Sequence, residues 1–215
     1  MTKPLKIDFV SDVVCPWCAI GLKSLEQALH RLGDSVTVEM HFQPFELNPQ
    51  MAPEGEDVVE HIARKYGSTP EQIAKNGEAI RQRGEAVGFT FNLAKRSRIV
   101  NTFDAHRLLH WAALEGRQPE LKQALLTAYF TDGRDVSSHD VLVDVAGKVG
   151  LNPVTAREVL AQDRYAQDVR AQEQFYQSQG IQAVPSVIVN DRYLIQGGQP
   201  PEAFEQTLRR IASEG

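Results

Sequence analysis

Residues 5–18 read LKIDFVSDVVCPWC, and the order of their parts decides the fold. Ile7 and Phe9 flank Asp8, and Val10 adds a branched side chain, which predicts a strand over Leu5 to Ser11. The strand pattern stops at the cysteines. From about Pro16 to Arg31, the apolar residues Trp17, Ile20, Leu25, Ala28, Leu29 and Leu32 recur at helical spacing, and Gly33 closes the helix. Pro16 suits the first turn, where its missing N–H would have had no intrahelical partner. Next, Val36, Val38, Met40 and Phe42 alternate with Thr37, Glu39, His41 and Gln43 up to Pro44, the period of a second strand. A strand, helix, strand opening with parallel neighbours takes the right-handed crossover and lays the helix on one sheet face.

Outward from this unit, residues Gly55 to Gln179 carry helical punctuation, with one short candidate extended piece around Phe89 and Phe91. Thr69-Pro70-Glu71-Gln72 offers an N-cap, a first-turn proline and a capping-box glutamine, and Asn152-Pro153 repeats the cap-then-proline logic. Phe103, Leu108, Trp111 and Leu114, then Leu121, Leu125 and Tyr129, fall at helical intervals, with Gly116 and Pro119 between them. Trp111 and Tyr129 read as core. Sheet character returns at Ser186 to Asn190, Asn190-Asp191 reads as a hairpin turn into Arg192 to Gln196, and Phe204, Leu208 and Ile211 line a last helix from Pro201 to Ala212. No repeat or low-complexity linker separates independent units.

The 215 residues are 42% hydrophobic, enough for one large domain or a compact domain carrying an insertion. A net charge of -5 with scattered basic residues argues against nucleic-acid binding. The N-terminal MTKPLKIDFV runs straight into a strand, leaving no room for a secretory signal, and no stretch reaches membrane-span length. The expectation is a soluble, cytoplasmic protein without membrane contact. Two cysteines, Cys15 and Cys18, exclude a disulfide scaffold and concentrate any thiol chemistry at one place.

A cysteine at a helix N-terminus has its thiolate stabilised by unpaired N–H groups and the helix dipole. Cys15 holds that position, and Cys18, nearly one turn on, can approach its sulfur to close or resolve a disulfide. Two plainer readings compete: half a structural zinc site, or two inert buried thiols. Zinc would need a second ligand pair, and His106 and His110 lack the Glu of an HExxH motif. Asp12 reads as a turn residue that could also tune proton transfer. Trp17 either shapes the rim around the sulfurs or packs the helix, and Pro185 by itself reads as a trans proline opening an edge strand.

DFVSDVVCPWCAIG, the distant AVPSVIVN with the QGG after it, and the internal NTFDAHRL together resemble the DsbA-like family, in particular its FrnE branch. The resemblance implies an α/β thioredoxin-like fold interrupted by an all-helical insertion, with residues 1–54 and 180–215 forming the first part and 55–179 the second. It implies thiol–disulfide oxidoreductase or isomerase activity, with Cys15 attacking and Cys18 resolving. It further implies a cis Val184-Pro185 bond beside the cysteines, where Pro16, Trp17, Val184 and Pro185 meet a cysteine-containing protein or peptide. No metal or other cofactor is implied; glutathione is a candidate redox partner and a homodimer a candidate assembly. Asn101, Thr102 and His106 either line a substrate cleft or cap and pack their helix. Ala19 departs from the aromatic expected after the second cysteine. The related kappa-class glutathione transferases and 2-hydroxychromene-2-carboxylate isomerases carry a serine near the first cysteine position, so this dithiol argues against them. A non-catalytic, chaperone-like peptide binder is the remaining rival.

Overall fold

The computed structural model describes residues 4–214; residues 1–3 and 215, the outer ends of the expected thioredoxin-like part, lie outside the described residues. β1 (Leu5–Ser11) and β2 (Val38–Pro44) pair in parallel, joined by α1 (Pro16–Leu32); the sequence pattern allows this pairing and places the start of the second strand two residues earlier, at Val36. β5 (Ser186–Val189) pairs antiparallel with β1, and β6 (Tyr193–Gln196) antiparallel with β5, giving the order β2-β1-β5-β6. β1 is buried along almost its whole length, so polar Asp8 and Ser11 are buried together with Ile7, Phe9 and Val10. Phe9 lies opposite Phe42 in register, their rings edge to face at 5.8 Å. Asn190 and Asp191 both take positive φ (54° and 55°), the two-residue turn expected from their identity.

α9 (Pro201–Glu214) packs against α1, burying Phe204, Leu208 and Ile211. Between β2 and β5 run α2 (Val58–Tyr66), α3 (Pro70–Ala86), α4 (Phe103–Leu114), α5 (Gln118–Phe130), α6 (His139–Lys148), α7 (Pro153–Ala161) and α8 (Ala166–Ser178). The mixed α/β architecture with its helical insertion is the one expected. Thr69 and Gln72 form the capping box of α3, and Asn152 caps α7 by accepting from Val154 N and Thr155 N.

The extended piece expected at Phe89 and Phe91 is not a strand. Both rings turn inward onto Phe130, with centroids 6.4 and 5.1 Å from it, so their period of two reflects a packed aromatic loop. The actual extra pairing joins β3 (Glu56–Asp57) to β4 (Arg98–Ile99), two residues each and too short to show a period.

Two side chains tie the helices to the sheet and to one another. Gln118 at the start of α5 accepts from Phe42 N at 2.9 Å and donates to Phe42 O at 3.0 Å, standing in for a neighbouring strand along β2. Arg107 of α4, 1% exposed, donates to the carbonyls of Val159, Leu160 and Arg164 at the end of α7 and is held by Asp104.

Candidate active site

β1 ends in a turn in which Cys15 N donates to Asp12 O at 3.3 Å, and α1 begins at once. Cys15 is its N-cap, in extended backbone, and its carbonyl accepts from Cys18 N at 3.1 Å and Ala19 N at 3.3 Å. The two thiols are unlinked and unequally accessible: Cys15 retains 4% exposure and Cys18 none. Burial, together with the adjacent Cys15 sulfur, pushes the Cys18 thiol well above its ordinary value.

The second wall comes from the far end of the sequence. The Val184-Pro185 bond is cis, and Cys15 Sγ faces Val184 O at 3.8 Å. Val184 is half-buried and Pro185 buried. The loop sits this close because α1 carries glycine where it passes: a Cβ on Gly21 would lie 3.1 Å from Pro185 Cγ and 3.3 Å from Gly198 Cα. Gly198 in turn leaves room for Trp17 O, and Pro185 O accepts from Gly197 N at 2.8 Å. The AVPS and QGG segments are thus fastened to the cysteine helix and to each other.

Trp17 is 41% exposed, with the Arg83 guanidinium of α3 6.0 Å from its ring. Pro16 is half-buried beside it. Tyr66, 62% exposed at the end of α2, has its phenol raised by burial and, after that, by the charge of Cys15. Neighbouring Lys65 donates to Leu47 O and Asn48 Oδ1 at 2.8 and 2.7 Å, fixing α2 to the chain after β2.

Asp12 is more than a turn residue. It is fully buried behind the cysteines, accepts from Leu47 N at 2.8 Å and lies 3.4 Å from His106 Nε2. Burial works to raise its pKa, but His106, the Leu47 amide and Thr102 outweigh that effect and hold the carboxyl below its ordinary value. His106 also meets Phe45 O at 3.1 Å, and both Thr102 and His106 are 3% exposed. Asn101 accepts from Phe103 N at 2.9 Å. The NTFDAHRL residues therefore cap and pack, and they carry the floor of the site.

Sequence reasoning passed over Tyr66, Arg83 and Lys122. Lys122 on α5 is 1% exposed, and the charges acting on it come from Cys18, Asp12 and Cys15. Its neighbours Leu121 and Leu125 mark the buried face of α5, but nothing local distinguishes a buried lysine from a solvated one beside that face. Among the described residues no group of three or more His, Cys, Asp or Glu side chains is placed to hold a metal ion. Among them, too, no helix is long and apolar enough to cross a membrane.

This arrangement sets one thiol at a helix N-terminus, the Val184 carbonyl beside it, and a second, fully buried thiol one turn on. A probable DsbA oxidoreductase from Streptomyces coelicolor superposes with a TM-score of 0.90 at 33% identity, covering 98% of this chain and 91% of that one. A putative protein disulfide isomerase from Nitrosomonas europaea superposes with a TM-score of 0.75 at 21% identity over 99% of each chain, a likeness of fold. The uncharacterized protein YwbO of Bacillus subtilis (strain 168) is 27% identical over 210 residues, 97% of this chain and 96% of that protein. With residues 6–209 matching the DSBA-like thioredoxin domain as well, the chain belongs to that family of thiol–disulfide oxidoreductases.

Proposed function

We propose that this protein exchanges disulfides with cysteine-containing proteins or peptides through Cys15 and Cys18, as a DsbA-like oxidoreductase or isomerase of the FrnE type. The observation that carries the reading is the 3.8 Å approach of Cys15 Sγ to Val184 O, which puts a nucleophilic sulfur beside backbone able to pair with an extended chain. The Cys15 thiolate attacks one sulfur of a substrate disulfide and the other sulfur departs as a thiolate. The Cys18 thiolate then attacks Cys15, forming the Cys15–Cys18 disulfide and releasing the reduced substrate. Trp17 and Tyr66, both exposed, supply apolar contact for residues flanking the substrate cysteine. Residues 1–54 and 180–215 carry the dithiol and the cis-proline loop in this reading, and 55–179 supply the opposing wall. A soluble thiol such as glutathione returns the pair to its reduced form in a reducing compartment such as the cytoplasm.

The test is insulin reduction by dithiothreitol with the purified protein beside Cys15→Ser. The reading expects acceleration that disappears in the variant. Equal rates with and without the Cys15 sulfur would overturn it and favour a peptide binder without turnover.

A further inference from the structure

Helices α2 and α3 and the loop 91–97 enclose a cleft of about 640 Å³ that none of Cys15, Cys18, Val184 and Pro185 lines. Val59 and Ile62 of α2, Ile73 and Ile80 of α3, and Leu93 of the loop give it apolar walls, each of them half-buried or exposed. Ile73, Gly77 and Ile80 recur at the spacing of one helix face, so α3 turns an apolar stripe to the cleft. Gly77 stands in the middle of that stripe, where glycine weakens a helix. A Cβ there would already touch Leu93 Cδ1 at 3.4 Å, and a longer side chain would fill the space between α3 and the loop. Four charged side chains also line the cleft, and three are committed. Asp57 caps α2, accepting from Val59 N and Glu60 N at 2.8 and 3.1 Å. Glu78 accepts from Arg81 at 2.8 and 2.7 Å and from Gln82, and Arg81 binds Glu85 as well. Arg96 is the exception: its Nε is buried without an acceptor, and among the described residues no carboxylate pairs with it. Its guanidinium rests instead over the rings of Tyr129 and Phe130, 5.9 and 5.6 Å from their centroids. Arg96 also borders a polar cavity of about 60 Å³, far below the size of a ligand site.

We propose that this cleft binds a single-chain amphiphilic carboxylate of the medium-chain fatty-acid class, its chain along the α2 and α3 walls and its carboxylate on Arg96. The site is separate from the dithiol and does not depend on disulfide exchange. Its volume falls in the range of small-ligand sites, and its make-up, apolar walls with one convergent polar group, is theirs too. A guanidinium seated on aromatic faces presents its donors in a fixed fork, the geometry that takes a carboxylate through two parallel bonds. The two halves of the site select the two halves of the ligand. A neutral amphiphile leaves the Arg96 guanidinium without the charged acceptor it lacks in the protein, and a short carboxylate leaves the apolar stripe in water.

The experiment is calorimetric titration of the full chain with octanoate, octanol and acetate, in wild type, Arg96→Gln and Gly77→Leu. Octanoate should saturate one site in wild type and bind about 10- to 100-fold more tightly than octanol, while acetate should show no saturable binding. Arg96→Gln should bring octanoate down to the level of octanol and leave octanol where it was. Gly77→Leu, which fills the cleft without touching the cation, should remove both. Octanol binding as tightly as octanoate, or octanoate binding undiminished in either variant, overturns the proposal. Should Arg96→Gln fail to fold, the comparison of octanoate with octanol in wild type still tests the part given to the cation, and Gly77→Leu tests the place. Wild type that takes up no octanoate overturns the proposal too; if that protein also sediments as a dimer that Gly77→Leu dissociates, the cleft belongs to a second copy of this chain.

Discussion

Glu46 shows how one buried carboxyl sets a pH dependence. It is 6% exposed, bonded to Arg170, and faces Glu173, which is 5% exposed and bonded to the same guanidinium at 2.7 Å. Burial, then the charge of Glu173, lifts Glu46 to about 7. A carboxyl whose folded pKa lies above its unfolded value stabilises most below the unfolded value, and that contribution is lost as pH rises through the folded one. Unfolding free energy should therefore fall between about pH 4.5 and 7, and Glu46→Gln should flatten the decline and gain roughly 1 to 3 kcal/mol above pH 7. Urea melts across that range check it; a decline as steep in the variant contradicts it. At this scale the sequence is legible for Cys15 and Cys18, because chemistry and local position coincide. It is not legible for Asp12, whose partners His106 and Leu47 come from other elements, nor for Lys122, whose burial depends on where α5 docks.

The free edge of β2 depends on Gln118 in the same way that a strand depends on its neighbour. Its amide satisfies the N–H and C=O of Phe42 and also donates to Leu109 O at 3.2 Å, joining β2, α4 and α5 through one buried group. Gln118→Leu keeps the volume but leaves a buried donor and acceptors unpaired, a loss of about 2 to 4 kcal/mol. Chemical denaturation should report that loss and hydrogen exchange should quicken at the Phe42 amide; unchanged protection there would show that β2 does not need the side chain. Elements with a full period or a cap were readable in advance: β1, α1, the Asn190-Asp191 turn, the capping box at Thr69. β3 and β4 were not, since two residues hold no period. Phe89 and Phe91 misled because aromatic alternation in a loop has the same signature as a strand; Gly84 gives the reason for that loop's course, as a Cβ there would sit 2.4 Å from the Phe91 ring.

Across the whole molecule, the site is assembled from widely separated stretches. β1 and α1 place the thiols, the loop before β5 brings Val184, and α2, α3 and α5 contribute Tyr66, Arg83 and Lys122. A single cluster of buried side chains runs from Ile7 and Phe9 through Leu108, Leu125 and Leu142 to Phe204, so helices inserted between the strands are cored together with the sheet. The order strand, helix, strand and the return of strand pattern near Pro185 made the fold legible, whereas the cleft depends on docking angles that no local pattern encodes. The most direct measurement of the account is mass spectrometry of adducts after mixing each single-cysteine variant with a disulfide-bonded peptide. Cys18→Ser should accumulate one peptide joined through Cys15, because the attack proceeds and the resolving thiol is missing. Cys15→Ser should accumulate none; an adduct on Cys18 in that variant, with none in Cys18→Ser, would reverse the roles and contradict the account.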